Sequence, residues 1–213
     1  MKGKYFRIAE LVLLFIIAPI IISYHRVELK SFIIPIILVL AIYCLITLLK
    51  DKNFNRKRFL LGKGEKGSFK IILYRFLAGS AILLIFMFFL IPELLFDFPL
   101  NYTSLWIAVL FIYPLLSVYP QEIIFRTYIF HRYSDLFSNR QTFLIFNAVL
   151  FGFAHIVYGN WIAVVLSSIG GYFFATTYDS TESTIITAIE HGFWGDLIFT
   201  AGLGIYFYSG AIS

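Results

Sequence analysis

Seven long apolar runs constrain this chain more than any other feature of its sequence. A membrane-spanning helix needs roughly 20 mostly apolar residues, and 213 residues leave room for about that many helices plus loops. The runs are continuous and do not alternate with period two, which argues against a membrane β-barrel. We therefore predict an all-α polytopic membrane bundle of about seven to eight spans. The runs are Ile8–Ser23, Phe32–Leu49, Ile71–Phe96, Leu105–Phe130, Phe143–Tyr158, Trp161–Tyr178 and Ile185–Tyr208.

Composition supports the same class of protein. Hydrophobic residues make up 60% of the chain and charged residues only 14%, whereas globular domains have nearer a quarter of charged residues. The net charge of +5 is concentrated in one segment, so we predict no nucleic-acid partner and contact with the lipid bilayer instead. The single cysteine, Cys44, lies in an apolar run and is predicted to be a buried small side chain.

Basic residues predict the orientation and the division of the chain. Lys2, Lys4 and Arg7 precede the first run, and no small-residue cleavage site follows it, so we interpret it as an uncleaved span. The segment Lys50–Lys70 is strongly basic, which indicates a cytoplasmic loop. We predict an N-terminus inside, a two-span hairpin over residues 1–50, the loop over 51–70 and a helical bundle over 71–213.

A carboxylate and a guanidinium occur deep within the fourth run. Glu122 and Arg126 are four residues apart, so they share a helix face and can pair. The pair can simply let both charges exist at depth, or Arg126 can extend to the membrane surface. Alternatively, Arg126 fixes a carboxylate that polarises water or holds a metal. Pro114 and Pro120 predict a kinked entry into this segment.

Two histidines lie in later apolar runs. His155 and His191 are each compatible with a satisfied core position, but together with Glu122 they offer three ligands and an open place for water. That arrangement suits a divalent metal such as zinc. A metal-free version needs only Glu122 as a general base, with the histidines stabilising an oxyanion. The sequence leaves both versions open.

The order of these residues resembles a known family. Glu-x-x-x-Arg ending at Arg126, Phe-x-x-x-His ending at His155, and a later motif opening at His191 are similar to the CPBP family, which includes the CAAX prenyl endoproteases and the bacterial Abi proteins. The resemblance covers about Pro120 to Thr200. It implies an eight-helix-like bundle in a bacterial cytoplasmic membrane and a glutamate-dependent, metal-linked peptidase. Its catalytic residues would be Glu122, Arg126, His155 and His191, with Glu122, His155 and His191 on the metal, and its substrate a membrane-associated or lipidated peptide.

Two positions depart from that family pattern. Gln121 stands where the first motif usually opens with a second glutamate, which is generally taken as the water-activating base. Gly195 stands where the last motif has Asn or Asp, and the nearest acid is Asp196. Either Glu122 substitutes as the base, or the chain binds or scaffolds a hydrophobic peptide or membrane partner without cleaving it. A small transporter is a third hypothesis, because buried Glu, Arg and His also mark ion pathways.

Overall fold

The computed structural model describes residues 3–60, 62 and 68–207, and every regular element within them is helical. Short helical turns at Arg56–Phe59, Pro92–Leu94, Asp97–Asn101 and Leu203–Tyr206 accompany the longer helices. The long helices of the described residues are α1 (Lys4–Tyr24), α2 (Arg26–Lys50), α3 (Ser68–Leu90), α4 (Thr103–Leu136), α5 (Arg140–Tyr158), α6 (Trp161–Thr181) and α7 (Thr184–Ala201).

Six of the described helices, α1 to α6, are long and apolar enough to cross a membrane. The prediction of an all-α integral membrane protein is therefore confirmed, while the predicted count of seven to eight spans exceeds these six. The seventh apolar run does form a helix, α7, of 18 residues. Its apolar residues are interrupted by Glu190, His191 and Asp196, which lower its hydropathy.

Side-chain caps and glycines set several helix ends. Asn139, Asn160 and Ser183 precede α5, α6 and α7, and each side chain accepts a backbone N–H of the first helical turn. Gly202, with φ of 98°, ends α7, so the predicted last run stops well before Tyr208, which lies outside the described residues. α3 ends at Leu90 and not at the predicted position 96, because a proline follows at position 92.

Helix α4 is the central element, and its prolines change its geometry. Pro114 opens a five-residue segment with a wider helical turn, and a second wide segment spans Ile123–Tyr128. Proline has no N–H to donate to the carbonyl four residues earlier, which favours such local rearrangement. The wide turns lie on either side of Glu122, and the predicted kink at Pro114 and Pro120 stays a prediction.

The N-terminal hairpin shares its core with the rest of the bundle. Phe15 of α1 and Cys44 and Leu48 of α2 are buried in one cluster with aromatic and aliphatic side chains of α4, α5 and α6. Cys44 is free and fully buried, as its apolar run predicts. The hairpin therefore packs directly on α4.

Ion pairs tie the helices together at the end of the bundle that carries the basic segment. We call this the basic end; part of its loop, residues 61 and 63–67, lies outside the described residues. Each pair joins segments that are distant in sequence. Two pairs link α1 to α4, one links α4 to the residue that follows α2, and one links the turn Arg56–Phe59 to the residue that follows α6. The pairs are Arg7–Asp135 (2.6 Å), Arg132–Glu10 (2.9 Å), His131–Asp51 (3.0 Å) and Arg58–Glu182 (2.8 Å).

Candidate active site

Glu122 and Arg126 form a fully buried pair on α4. Arg126 Nε lies 3.4 Å from Glu122 Oε2, and neither side chain is exposed. Arg126 Nη1 donates to Asn147 Oδ1 at 2.7 Å, and the Asn147 amide in turn donates to the carbonyl of Phe125 at 2.7 Å. Asn147 belongs to α5, so the guanidinium is fixed by two helices. The Phe151 ring, whose centroid is 4.7 Å from the Arg126 guanidinium carbon, covers it on one side.

The same carboxylate holds His191 of α7. His191 Nδ1 lies 2.8 Å from Glu122 Oε1. Because a carboxylate accepts hydrogen bonds, this contact places a proton on Nδ1 and, in the neutral imidazole, leaves Nε2 able to accept one. The Phe174 ring stacks on the imidazole with centroids 4.5 Å apart, which fixes the ring plane. Glu122, Arg126 and His191 are thus brought together as one buried group.

His155 is held separately at the last turn of α5. Its Nδ1 lies 2.8 Å from the carbonyl oxygen of Phe151, so Nδ1–H donates and Nε2 is again left as an acceptor. His155 and His191 line the same cavity, and the Phe151 ring lies close to both imidazoles, with centroid distances of 4.8 and 5.4 Å. Glu122 does not line that cavity.

The cavity has a volume of about 590 Å³ and combines apolar walls with a few polar groups. No acidic side chain lines it within the described part of the chain. The residue of the first motif that reaches it is Gln121, whose Nε2 donates to Ser117 Oγ at 2.7 Å. The departure from the family pattern at Gln121 therefore falls on the cavity surface itself. The other polar side chains that line it include Tyr113, His155, Ser167 and His191, with Arg26 and Lys30 of α2.

Tyr113 is a candidate site residue that the sequence did not single out. Its hydroxyl oxygen lies 3.4 Å from His191 Nε2. It occupies the space beside Gly195, where a Cβ would fall only 2.5 Å from the Tyr113 hydroxyl and 2.3 Å from its ring. Asp196, the nearest acid, does not line the cavity. In the sequence, Tyr113 is one of 14 tyrosines, and nothing distinguishes it from the others.

A second buried carboxylate, Glu190, precedes His191 in α7. Glu190 is fully buried, neither of its oxygens has a hydrogen-bond partner, and its nearest cation is Arg75 Nη1 at 3.7 Å. The hydroxyl groups of Thr176 and Thr177 lie within 3.4 Å of the same Arg75 nitrogen. Glu190 does not line the cavity that His191 lines, and its nearest cation belongs to α3.

The predicted metal ligands do not form a metal-binding group in this arrangement. Among the described residues, no three His, Cys, Asp or Glu side chains are placed to hold one ion. Glu122 Oε1 is already in contact with His191 Nδ1, while His155 uses its Nδ1 on a backbone carbonyl. The donor set therefore fits a hydrogen-bonded Glu–His pair better than three ligands around one metal.

Comparison with known proteins identifies the region that carries this site. Residues 103–195 match the model of one family, described as Type II CAAX prenyl endopeptidase Rce1-like. The match includes Glu122, Arg126, His155 and His191. No curated protein and no solved structure shows significant similarity to the chain. The resemblance to the CPBP family is therefore confirmed for residues 103–195, which match an Rce1-like type II CAAX prenyl endopeptidase domain.

Proposed function

We propose that this protein is an intramembrane endopeptidase in which His191, oriented by Glu122, activates water in the cavity. The observation that carries the proposal is the 2.8 Å contact between His191 Nδ1 and Glu122 Oε1. Members of this family are peptidases, and the site lies within a bundle whose helices suit a membrane. The substrate class is a membrane-associated or lipidated peptide.

The Glu122–His191 pair supplies the base. A carboxylate that accepts the Nδ1 proton holds the imidazole in one tautomer and stabilises the imidazolium that forms when Nε2 takes a proton. Arg126 acts as the positioning residue for Glu122, and Asn147 in turn holds Arg126; both side chains are fully buried. This assigns Glu122 a different role from the water-activating base expected from the sequence.

The other cavity residues suit the remaining charges of peptide hydrolysis. Water attacks the peptide carbonyl carbon while His191 Nε2 takes its proton, and the oxyanion that develops accepts hydrogen bonds from the Tyr113 hydroxyl and the Gln121 amide. The carbon–nitrogen bond then breaks, and the leaving nitrogen takes the proton back from His191. His155 Nε2 accepts a hydrogen bond from the substrate backbone N–H and so orients the peptide.

A second candidate function is favoured by Gln121. An amide cannot act as a base, and no carboxylate lines the cavity among the described residues. The second candidate is a family member that binds a hydrophobic or lipidated peptide, or scaffolds a membrane partner, without turnover. The two functions share the cavity and differ only in whether His191 suffices as the base.

One experiment separates them. The full chain in lipid nanodiscs is incubated with lipidated peptides of varied sequence, and the products are identified by mass spectrometry. We expect the wild-type chain to cleave a peptide. His191→Ala should lower the cleavage rate by about 10²- to 10⁴-fold, the range typical of a lost general base. Cleavage that His191→Ala leaves unchanged would falsify the proposal.

A gain-of-function variant tests the second candidate. If the wild-type chain binds peptide without cleaving it, and Gln121→Glu introduces cleavage, the binding function is the correct one. Gln121→Glu is matched in size to the native side chain and changes mainly the charge at the cavity surface. Ser117→Ala, which removes the hydrogen-bond partner of Gln121 without adding a carboxylate, is the control.

A further inference from the structure

The cavity lies in the half of the bundle that is distant from the basic end. Its lining comes from the start of α2, the second half of α3, the middle of α4, the last two turns of α5, the middle of α6 and the second half of α7. We call the end of the bundle that these segments approach the cavity end. Hydrogen bonds join the helix ends there: Ser23 Oγ donates to the carbonyl of Ile156 (3.0 Å), and the Asn160 amide donates to the carbonyl of Tyr206 (2.8 Å).

Cationic side chains are distributed very unequally between the two ends. Of the described Lys and Arg residues, Arg75 and Arg126 lie within the bundle and only Arg26 and Lys30 lie at the cavity end. Loops rich in Lys and Arg stay on the cytoplasmic side of a membrane. The basic end is therefore cytoplasmic, and the cavity end faces the opposite side. The described cations of the basic end are Lys4, Arg7, Lys50, Lys52, Arg56, Lys57, Arg58, Lys70, Arg132 and Arg140.

The two cations of the cavity end lie at the cavity itself. Arg26 and Lys30 are one helical turn apart on α2, both are exposed, and both line the cavity. Neither forms an ion pair within the described part of the chain. Glu28, the acid of the same turn, does not line the cavity. This part of the cavity therefore carries uncompensated positive charge.

Gly159 holds one of these cations in place. The residue has φ of 70°, and a Cβ built on it would lie 2.9 Å from Arg26 Nε. A glycine in the α5–α6 turn thus lets the Arg26 side chain lie directly against the backbone. The contact places the guanidinium beside the turn that follows His155, on the same side of the bundle as the candidate site.

The rest of the cavity wall is apolar and open to lipid. Ile82 and Phe86 of α3 and Ile169 of α6 line the cavity and are more than half exposed. A hydrocarbon or apolar peptide segment can pack on this wall while an anionic group at its end remains near Arg26 and Lys30.

We propose that the cavity opens on the extracytoplasmic face of the membrane and receives a membrane-inserted peptide whose free C-terminal carboxylate pairs with Arg26 and Lys30. The identity of the occupant as a peptide rests on the proposed function; the direction of opening does not. The carboxylate is favoured because the site has two exposed cations and no acid within the described residues. The substrate is then drawn from the outer leaflet, not from the cytoplasm.

Cysteine labelling tests the direction of opening. In a Cys44→Ala background, Lys30→Cys at the cavity end and Lys52→Cys at the basic end each place one thiol at an exposed position of the protein. We expect a membrane-impermeant maleimide to label Lys30→Cys in intact cells and Lys52→Cys only after permeabilisation. The opposite pattern overturns the proposal, as does labelling of both variants from outside.

Peptide binding tests the occupant. The probe is a palmitoylated apolar hexapeptide, prepared as a free acid and as a C-terminal amide, and binding is measured on the His191→Ala chain in phosphatidylcholine nanodiscs. We expect the free acid to bind roughly three- to tenfold more tightly, because each exposed ion pair adds little alone. Arg26→Gln with Lys30→Gln should remove that difference, while the matched pair Lys50→Gln with Lys52→Gln should keep it.

The outcomes separate this inference from the proposed function. Preference for the acid without cleavage by the wild-type chain supports the site and contradicts the peptidase. Equal binding of acid and amide, or no binding of either, overturns the carboxylate site even if cleavage is found. If phosphatidylglycerol in the nanodisc displaces both peptides equally, the cations bind a lipid headgroup and the peptide assignment is wrong.

Discussion

The two ends of this bundle are built differently. At the basic end, the ion pairs Arg132–Glu10 and Arg7–Asp135 join α4 to α1, which is distant in sequence. At the cavity end, the space between the helices is left open, and Arg26 and Lys30 have no ionic partner in the described chain. Charged side chains thus hold segments together at the basic end, whereas those of the cavity end are available to bind a ligand. The difference predicts that substitutions at the two ends affect separate properties.

The largest expected effect is on peptide cleavage, and it compares two carboxylates that are both fully buried, Glu122 and Glu190. Glu122→Gln should lower peptide cleavage by about 10³- to 10⁴-fold, because an amide no longer fixes the tautomer of His191. Glu190→Gln is the matched control, since Glu190 is equally buried but contacts no histidine. Cleavage rates for purified, monodisperse variants measure the effect. Equal losses in both variants would show that the cavity end has no dedicated base.

Removal of the buried cation should have the next largest effect, this time on stability. Arg126→Met leaves Glu122 without its guanidinium in a buried site, which costs about 3–5 kcal/mol of unfolding free energy. Arg140→Met, which breaks the partly exposed pair with Asp179, should cost at most about 1 kcal/mol. Denaturant unfolding in mixed micelles compares the two variants. A similar small cost for both would mean that Arg126 is not needed to hold Glu122.

A substitution at the basic end should reduce stability and leave peptide binding intact. Arg132→Gln removes the charge-assisted hydrogen bond to Glu10 Oε2, worth about 1.5–3 kcal/mol. Tyr133, which also donates to Glu10 Oε2 at 3.1 Å, remains as a partner. The measurement pairs unfolding with the affinity for the palmitoylated peptide. A loss of affinity comparable to the loss of stability would contradict the independence of the two ends.

The smallest effect is a pH dependence at the basic end. The pKa of Asp51 lies below its ordinary value of 3.8, first because the backbone N–H of Asn53 donates to the carboxylate and then because His131 does. Its contribution to stability is therefore present above the ordinary pKa and is lost as pH falls through the lowered value. Asp51→Asn should make the unfolding midpoint depend less on pH between about pH 5 and pH 2. An unchanged acid profile would show that Asp51 contributes nothing measurable.

Much of the fold could be predicted because hydrocarbon constrains sequence strongly. The apolar runs located every long helix, and the basic segment separated the hairpin from the bundle. Helix ends at Leu90 and Ala201 were predicted less well, since one proline and one glycine decide them. The number of spans was overestimated because α7 mixes apolar residues with Glu190, His191 and Asp196.

The candidate site was predictable only as a set of residues. Spacing placed Glu122 and Arg126 on one helix face, but no pattern indicates that Glu122 points to His191 and away from the cavity. That geometry depends on the wide turns of α4 and on packing between distant helices. Tyr113 was missed for the same reason, because its role depends on a neighbour 82 positions later in the chain.

The close approach of Tyr113 to the backbone at Gly195 has an evolutionary consequence. A phenol on one helix and an absent side chain on another form a lock that tolerates no single change: a larger residue at the second position displaces the ring, and a smaller one at the first leaves a hole. Substitutions at these two sites should therefore be correlated, with asparagine or aspartate at position 195 only where a smaller residue replaces the ring at position 113.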